Sequence, residues 1–257
     1  MSAGPAPAGE MRAYAELAPW WPLFSPPSHY DEEAAHLLSL IREHAGEPPR
    51  TLLELGSGGG SMAWHLKREL RLTLSDVSPQ MLAVSREANP ECEHLLGDMR
   101  SLRLGREFDV VLIHDAVMYM TDPASVRQAL ATAAAHCRPG GLLLVVPDHV
   151  KETFAPETSH GGEDGADGSG FRYLEWSWDP DPCDDTYQVA YAFLLRHSDG
   201  TVTTEGDRHL EGLFARDAWL GWLREAGFAP QVVTDPWDRE VFVAPRPAIP
   251  APGPVRF

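Results

Sequence analysis

Between residues 51 and 146 short apolar runs recur, separated by longer stretches of mixed character. Thr51-Leu52-Leu53-Glu54-Leu55, residues 72–76, Leu95-Leu96, residues 108–113 and residues 142–146 are too short for helices, and all but 72–76 show little polar alternation. Such runs read as strands covered on both faces, the habit of a parallel sheet. The stretches around them have helical spacing. Residues 31–44 carry apolar side chains at 34, 37, 38 and 41, one buried stripe. Residues 61–70, the stretch opened by Ser78-Pro79, and the one running from Thr121-Asp122-Pro123 to about Cys137 read the same way. In the latter two, a capping residue precedes a proline at the first helical position. Strands alternating with helices predict an α/β fold.

After residue 147 the period changes. Residues 171–178, 186–197 and 201–210 alternate and are rich in aromatic and β-branched residues, with Asp199-Gly200 as a hairpin turn. They predict a small antiparallel sheet inserted after the fifth core strand. A helix over about 215–226, ended by Gly227, and strands near 231–233 and 241–243 then complete the first sheet. Residues 152–185 are strongly acidic around a glycine-rich stretch, 161–170, which reads as a mobile lid. Residues 12–30 are aromatic and interrupted by prolines at 19, 22, 26 and 27; a lid over a pocket and a hydrophobic plug both fit. Residues 2–9 and 244–254, rich in Pro, Ala and Gly, read as tails. The boundaries are therefore 1–30 for the aromatic segment, 31–147 for the core, 148–213 for the insertion, 214–244 for the end of the core and 245–257 for the tail.

Charge narrows the partners. Lys and Arg number 21 against 38 Asp and Glu, a net charge of -17, and nucleic acid needs the opposite. A cationic small molecule suits an acidic chain; solubility alone explains the acidity as well. No apolar run approaches a membrane span and no secretory signal opens the chain. Cys92, Cys137 and Cys183 are few and widely spaced, as in a reduced cytoplasmic protein, and form no metal-binding spacing.

The chemistry points to the end of the first strand. Glycines fall at 56, 58 and 60, and Ser61 stands where a dinucleotide fingerprint wants its third glycine. Glu54 would lie close to a pyrophosphate and repel it, whereas it would favour a cation. This E-x-G-x-G-x-G arrangement resembles motif I of the class I S-adenosylmethionine-dependent methyltransferases, whose cofactor carries a sulfonium and an ammonium. Asp76, 22 residues past Glu54, can accept hydrogen bonds from both ribose hydroxyls; a surface Asp before a turn is the other reading. Gly97-Asp98-Met99, the motif IV position at His114-Asp115 and the Arg138-Pro139-Gly140-Gly141 joint continue the resemblance in order. It implies a Rossmann-like class I methyltransferase sheet binding S-adenosyl-L-methionine through Tyr14, Glu54, Gly56, Ser57, Gly58, Gly60, Asp76, Val77, Met81, Asp98, Met99 and His114. Asp98 would face the adenine amino group and Met99 pack on the ring.

The insertion's placement is similar to that in small-molecule N-methyltransferases, including those acting on amino sugars, where the extra sheet roofs the substrate or forms a dimer contact. N-methylation of an amine is thus favoured over O-methylation. Motif IV lacks the proline-rich tetrapeptide of enzymes that methylate amide or base amino groups. His114, with Asp115 as partner, and Tyr119 are candidate catalytic groups; helix capping, cofactor contact or plain packing are the alternatives. Trp20, Tyr30, Tyr119, His149, Trp176 and His209 are candidates to meet the substrate, and no metal is called for. Intramolecular cyclisation of the cofactor and a non-catalytic cofactor-binding partner are the competing functions. An open cavity would favour an enzyme; a blocked one, the binding partner.

Overall fold

The computed structural model describes residues 11–248; the amino-terminal tail 2–9 and residues 249–257 lie outside them. Prolines confine the entry to 3-10 turns and one short helix, α1 (Trp21–Phe24). α2 (Asp31–His44) then buries Ala34, Leu37, Leu38 and Ile41, the stripe the spacing predicts, together with Leu40.

The core follows as β1 (Thr51–Leu55), α3 (Ala63–Leu66), β2 (Arg71–Asp76), α4 (Pro79–Ala88), β3 (Glu93–Leu96), β4 (Phe108–His114), α5 (Pro123–His136) and β5 (Cys137–Val146). Strand order is β10 (Gln231–Thr234), β11 (Glu240–Pro245), β5, β4, β1, β2, β3, with β1 to β5 mutually parallel where they pair. Successive residues of β1 bury on opposite faces: Leu52 joins the cluster under α2, whereas Leu53 and Leu55 join the one under α5 and α6 (Arg216–Glu225). That is why the run contains almost no polar residue. Order reverses between β1 and β4, so the loops leaving both strands open onto one crevice.

The helix expected over 61–70 contracts to α3 and flanking turns, because His65, Arg68 and Glu69 bond three residues back. α4 and α5 begin as predicted: Ser78 Oγ accepts from Met81 N–H, and Asp122 accepts from Ala124 and Ser125 N–H.

The inserted sheet has four strands, β6 (Glu157–Gly161), β7 (Gly170–Trp178), β8 (Thr186–Arg196) and β9 (Val202–Gly212), in sequence order. The first was invisible in the sequence, since Glu-Thr-Ser-His-Gly has no apolar residue and lies at the edge. Asp164 between β6 and β7 meets Arg172 at 3.0 Å and Arg196 at 2.9 Å, so the stretch read as a mobile lid is fastened to the sheet. α6 (Arg216–Glu225), β10 (Gln231–Thr234) and β11 (Glu240–Pro245) close the chain onto β5. Strand β11 runs beyond the start of the compositional tail, and Arg246 still exchanges backbone hydrogen bonds with Gly140 and Gly141.

Candidate active site

The crevice holds a cavity of about 1370 Å³ between the carboxyl ends of β1, β2 and β4, the amino-terminal segment and the inserted sheet. A single drug-sized ligand occupies roughly 300–1,000 Å³, so there is room for two small molecules.

Its floor is the loop after β1. Gly56 has φ +80° and a Cβ there would lie 2.3 Å from the Ala116 Cβ. Gly60, at φ +78°, would meet Asn89 and Ser85, each at 2.4 Å. Four of the loop amides are already used. Gly56 and Ser57 donate to the Ser75 carbonyl at 2.8 and 2.9 Å, Gly60 to that of Ser57 at 3.0 Å, and Gly58 to Asp76 at 2.8 Å. A pyrophosphate would find no ready amide cradle in them.

Glu54, only 2% exposed, has one carboxylate oxygen with no hydrogen-bond partner. Burial, reinforced by the Asp76 and Asp115 charges and opposed by His114, raises its carboxyl to about 7. An unpaired buried carboxylate calls for a cation. Asp76 is also raised by burial, against amide bonds from Ser78, Gly58 and Val77, and lies where a diol can donate to it. Asp98 is held low by the Arg100 guanidinium, 2.6 Å away. These residues, with Tyr14, Val77 and Met99, line one end of the cavity and fit a nucleoside sulfonium with an ammonium tail. Met81 does not line it; its methyl supports the loop from behind, 3.6 Å from where a Cβ on Gly58 would sit.

His114 is clamped. Its Nε2 meets Glu33 at 2.7 Å and its Nδ1 meets Asp115 at 3.3 Å. Burial opposes its charge, but Asp115 and Glu33 overcome this and raise it to about 9. Both nitrogens face carboxylates, an arrangement that favours the doubly protonated ring and works against the base role the sequence suggested. Glu33 is lowered to about 2, the hydrogen bond and charge of His114 and the pairing with Arg239 outweighing burial. Arg239 also holds Asp235 at 3.0 Å and Asp115 at 3.5 Å. Asp115 adopts φ 55°, a conformation uncommon outside glycine, which turns the chain out of β4 into the cavity.

The opposite wall comes from the inserted sheet. Inward positions of β7, β8 and β9 present Tyr173, Glu175, Tyr187, Tyr191 and Glu211, joined by Asp148 and His149 from the end of β5. The Tyr187 hydroxyl donates to Glu211. Burial, with the charges of Asp115 and Glu211 beside it, pushes Asp148 well above the carboxylate range. Burial lowers His149, which lies edge-on to Phe154 and Tyr187 at 5.2 and 5.4 Å. Tyr119 lines the cavity, hydrogen-bonded to the Tyr14 hydroxyl and 3.2 Å from His209 Nδ1. His209 sits behind this wall, raised to about 9 because Asp207 and Glu211 outweigh burial.

The side chains of the amino-terminal segment divide between the cavity and the space beneath the inserted sheet. Ser78 Oγ donates to the Tyr14 carbonyl at 2.6 Å, and Asp207 accepts from Ala13 N–H at 2.8 Å. Tyr14, Trp21 and Tyr30 face the cavity, while Leu17 and Phe24 fill the space beneath the inserted sheet.

Trp20 and Trp176 are not brought to the cavity. Trp20 turns outward against His197 at 5.2 Å, and its neighbour Trp21 takes the inner place. Trp176 occupies an outward pleat position beside Trp178, 53% exposed. Strand parity, with Phe171 and Ser177 buried, would have put Glu175 inside instead. Glu33 and Arg239 carried no sequence signal. Among the described residues no group of three or more His, Cys, Asp or Glu is arranged to hold a metal.

Residues 52–141 match the model of a family described as Methyltransferase domain. The chain is 28% identical over 202 residues to a dTDP-3-amino-3,6-dideoxy-alpha-D-glucopyranose N,N-dimethyltransferase of Streptomyces fradiae, covering 78% of each protein. The crystal structure of Streptomyces venezuelae DesVI superposes with a TM-score of 0.81 at 26% identity, covering 90% of this chain and 98% of that one. S-adenosylmethionine-bound CalS10, an amino pentose methyltransferase of Micromonospora echinaspora involved in calicheamicin biosynthesis, superposes with a TM-score of 0.73 at 26% identity, covering 84% and 91%.

Proposed function

We propose that this chain, a class I S-adenosylmethionine-dependent methyltransferase that N-methylates a small molecule, takes as its acceptor the amine of a deoxy amino sugar. The observation that carries this reading is the wall opposite Glu54, built of tyrosines and of the carboxyl groups of Asp148, Glu175 and Glu211. Such a wall attracts an ammonium and offers hydrogen bonds to sugar hydroxyls, while its acids disfavour an anionic phenolate or carboxylate acceptor. The relatives named for amino-sugar and amino-pentose substrates agree with it.

When bound, the cofactor supplies an electrophilic methyl group to a nucleophile aligned with its sulfur. Glu54 holds the amino-acid end, Asp76 the ribose, and Asp98 with Met99 the adenine. His114 acts as a fixed imidazolium that orders Asp115 and Glu33. Tyr119 and Tyr14 set the acceptor's orientation. The acids beside the acceptor, Asp115 and Glu211 together with Asp148, take up the proton that its ammonium must give up before the nitrogen can attack. Alignment and exclusion of water supply the rest. A cavity open beyond the cofactor end supports an acceptor-using enzyme over intramolecular cyclisation or a binding-only partner.

The test is incubation with methyl-labelled cofactor and a panel of amino sugars, phenols and carboxylic acids, read by mass. Label is expected on amine nitrogen, twice for a primary amine. Transfer to phenol or carboxylate alone overturns the reading.

The outward face of the inserted sheet, Leu174, Trp176, Ala190, Ala192, Leu194 and their neighbours, carries no acid although the chain is acidic throughout. Two copies of this chain can meet there with least repulsion, which supports a homodimer. No described helix is long and apolar enough to cross a membrane. All three cysteines are free, Cys183 in the open, which supports a reducing, cytoplasmic setting.

A further inference from the structure

We infer that the acceptor enters this cavity as a cationic amino sugar bearing no nucleoside diphosphate, either free or as a simple glycoside. The inference rests on the amine N-methylation proposed above and narrows it. Related enzymes are named for dTDP-linked sugars, so the expectation by likeness is the reverse.

A diphosphate calls for positive charge, and the cations of this cavity are already engaged. Among the described residues that line it, Arg100 and Arg239 carry the permanent positive charges. Arg239 is spent on Glu33, on Asp235 at 3.0 Å and on Asp115 at 3.5 Å. Arg100 lies against both oxygens of Asp98, at 2.6 and 3.0 Å. His29 at the rim already faces Glu163 at 3.1 Å, and His149 is kept neutral by burial.

At the cofactor end several backbone amides are engaged as well. Those of Gly56, Ser57 and Gly60 are bonded within the loop and to Ser75, and those of Gly58 and Ser78 both donate to Asp76 at 2.8 Å. The amino terminus of α4, where a helix end meets the cavity beside the glycine loop, is therefore filled by the protein's own carboxylate. The first turn of α2 carries Asp31, Glu32 and Glu33. Around the opening Glu157 and Asp238 join Asp31 and Glu32. A diphosphate would have to displace a carboxylate from its arginine or lie against these acids with no counter-charge. An ammonium on a neutral sugar meets the acids of the rim and then Glu175 and Glu211, while the positive groups Arg100, His114 and Arg239 are each paired with a carboxylate.

The test compares methyl 3-amino-3,6-dideoxy-α-D-glucopyranoside with dTDP-3-amino-3,6-dideoxy-α-D-glucopyranose as acceptors for the whole chain, with dTDP alone as competitor. The glycoside is expected to show at least about tenfold higher kcat/KM. That value should fall as salt is raised, because screening weakens attraction between opposite charges. Added dTDP should leave the rate unchanged. Equal or better turnover of the dTDP-linked sugar, or competition by dTDP, overturns the inference while leaving amine methylation intact. If neither amine is methylated and a phenol or carboxylic acid is, the amine reading itself falls, and this inference with it.

Discussion

Glu54 carries a burden that only a cation relieves. The sequence marks it, two residues before the first glycine, and the structure adds what spacing could not show: a buried oxygen without a partner. Its carboxyl is raised from 4.5 to about 7, so the folded protein prefers it neutral. Below about pH 4.5 the folded and unfolded states are both protonated and nothing is lost. As pH rises to about 7 stability declines, by about 3 kcal/mol at most, since each tenfold change in proton affinity on folding is worth about 1.4 kcal/mol. Glu54→Gln should therefore melt close to the natural protein at acid pH and above it at pH values beyond about 7, while binding the cofactor more weakly. Thermal melts across pH together with calorimetry check both halves; equal cofactor affinity would remove Glu54 from the ammonium. Glu33 and Arg239 lie 206 residues apart and were not legible, because nothing local announces a pair that only the closed fold assembles.

Elements were read well where burial dictated the pattern and poorly where it did not. α2 matches its predicted span, as its apolar stripe must meet the sheet, and β1 is bounded by its own glycines. β6 escaped because a polar edge strand is held by backbone bonds to β7 alone. Trp176 was misplaced because residue type was weighed before pleat parity. The amino-terminal segment left two readings open, and its side chains divide between them. It presses on the cofactor loop at Gly59, where an added Cβ would lie 2.1 Å from the Trp21 ring. Gly59→Ala should push α1 off the loop, raising KM for the cofactor several-fold with the core sheet intact. Limited proteolysis should then cut within residues 11–30 faster than in the natural protein. Unchanged kinetics and unchanged cleavage would mean that the segment does not cover the cofactor.

At the scale of the whole molecule, the topology could be read because four motif positions fall in order along one doubly covered sheet. The net charge was legible too, but its distribution was not. Acids gather at the cavity and are absent from the outer face of the inserted sheet, a contrast that exists only once alternate residues are sorted by the pleat. Trp176→Glu places a charge on that acid-free face, far from the glycine loop. By light scattering the natural chain is expected to run as a dimer and this variant as a monomer, with methyl transfer per chain kept within about twofold if the sheet itself is undisturbed. A variant that stays dimeric would put the contact elsewhere.

Everything turns on one cavity holding a sulfonium nucleoside over Glu54 and an amine against the inserted sheet. Crystals grown with S-adenosylhomocysteine and an accepted amino sugar measure this directly. The amine nitrogen is predicted to lie in line with the sulfur and within hydrogen-bond reach of Asp148 or Glu211. A hydroxyl in that place, or a phosphate against the glycine loop, would contradict it.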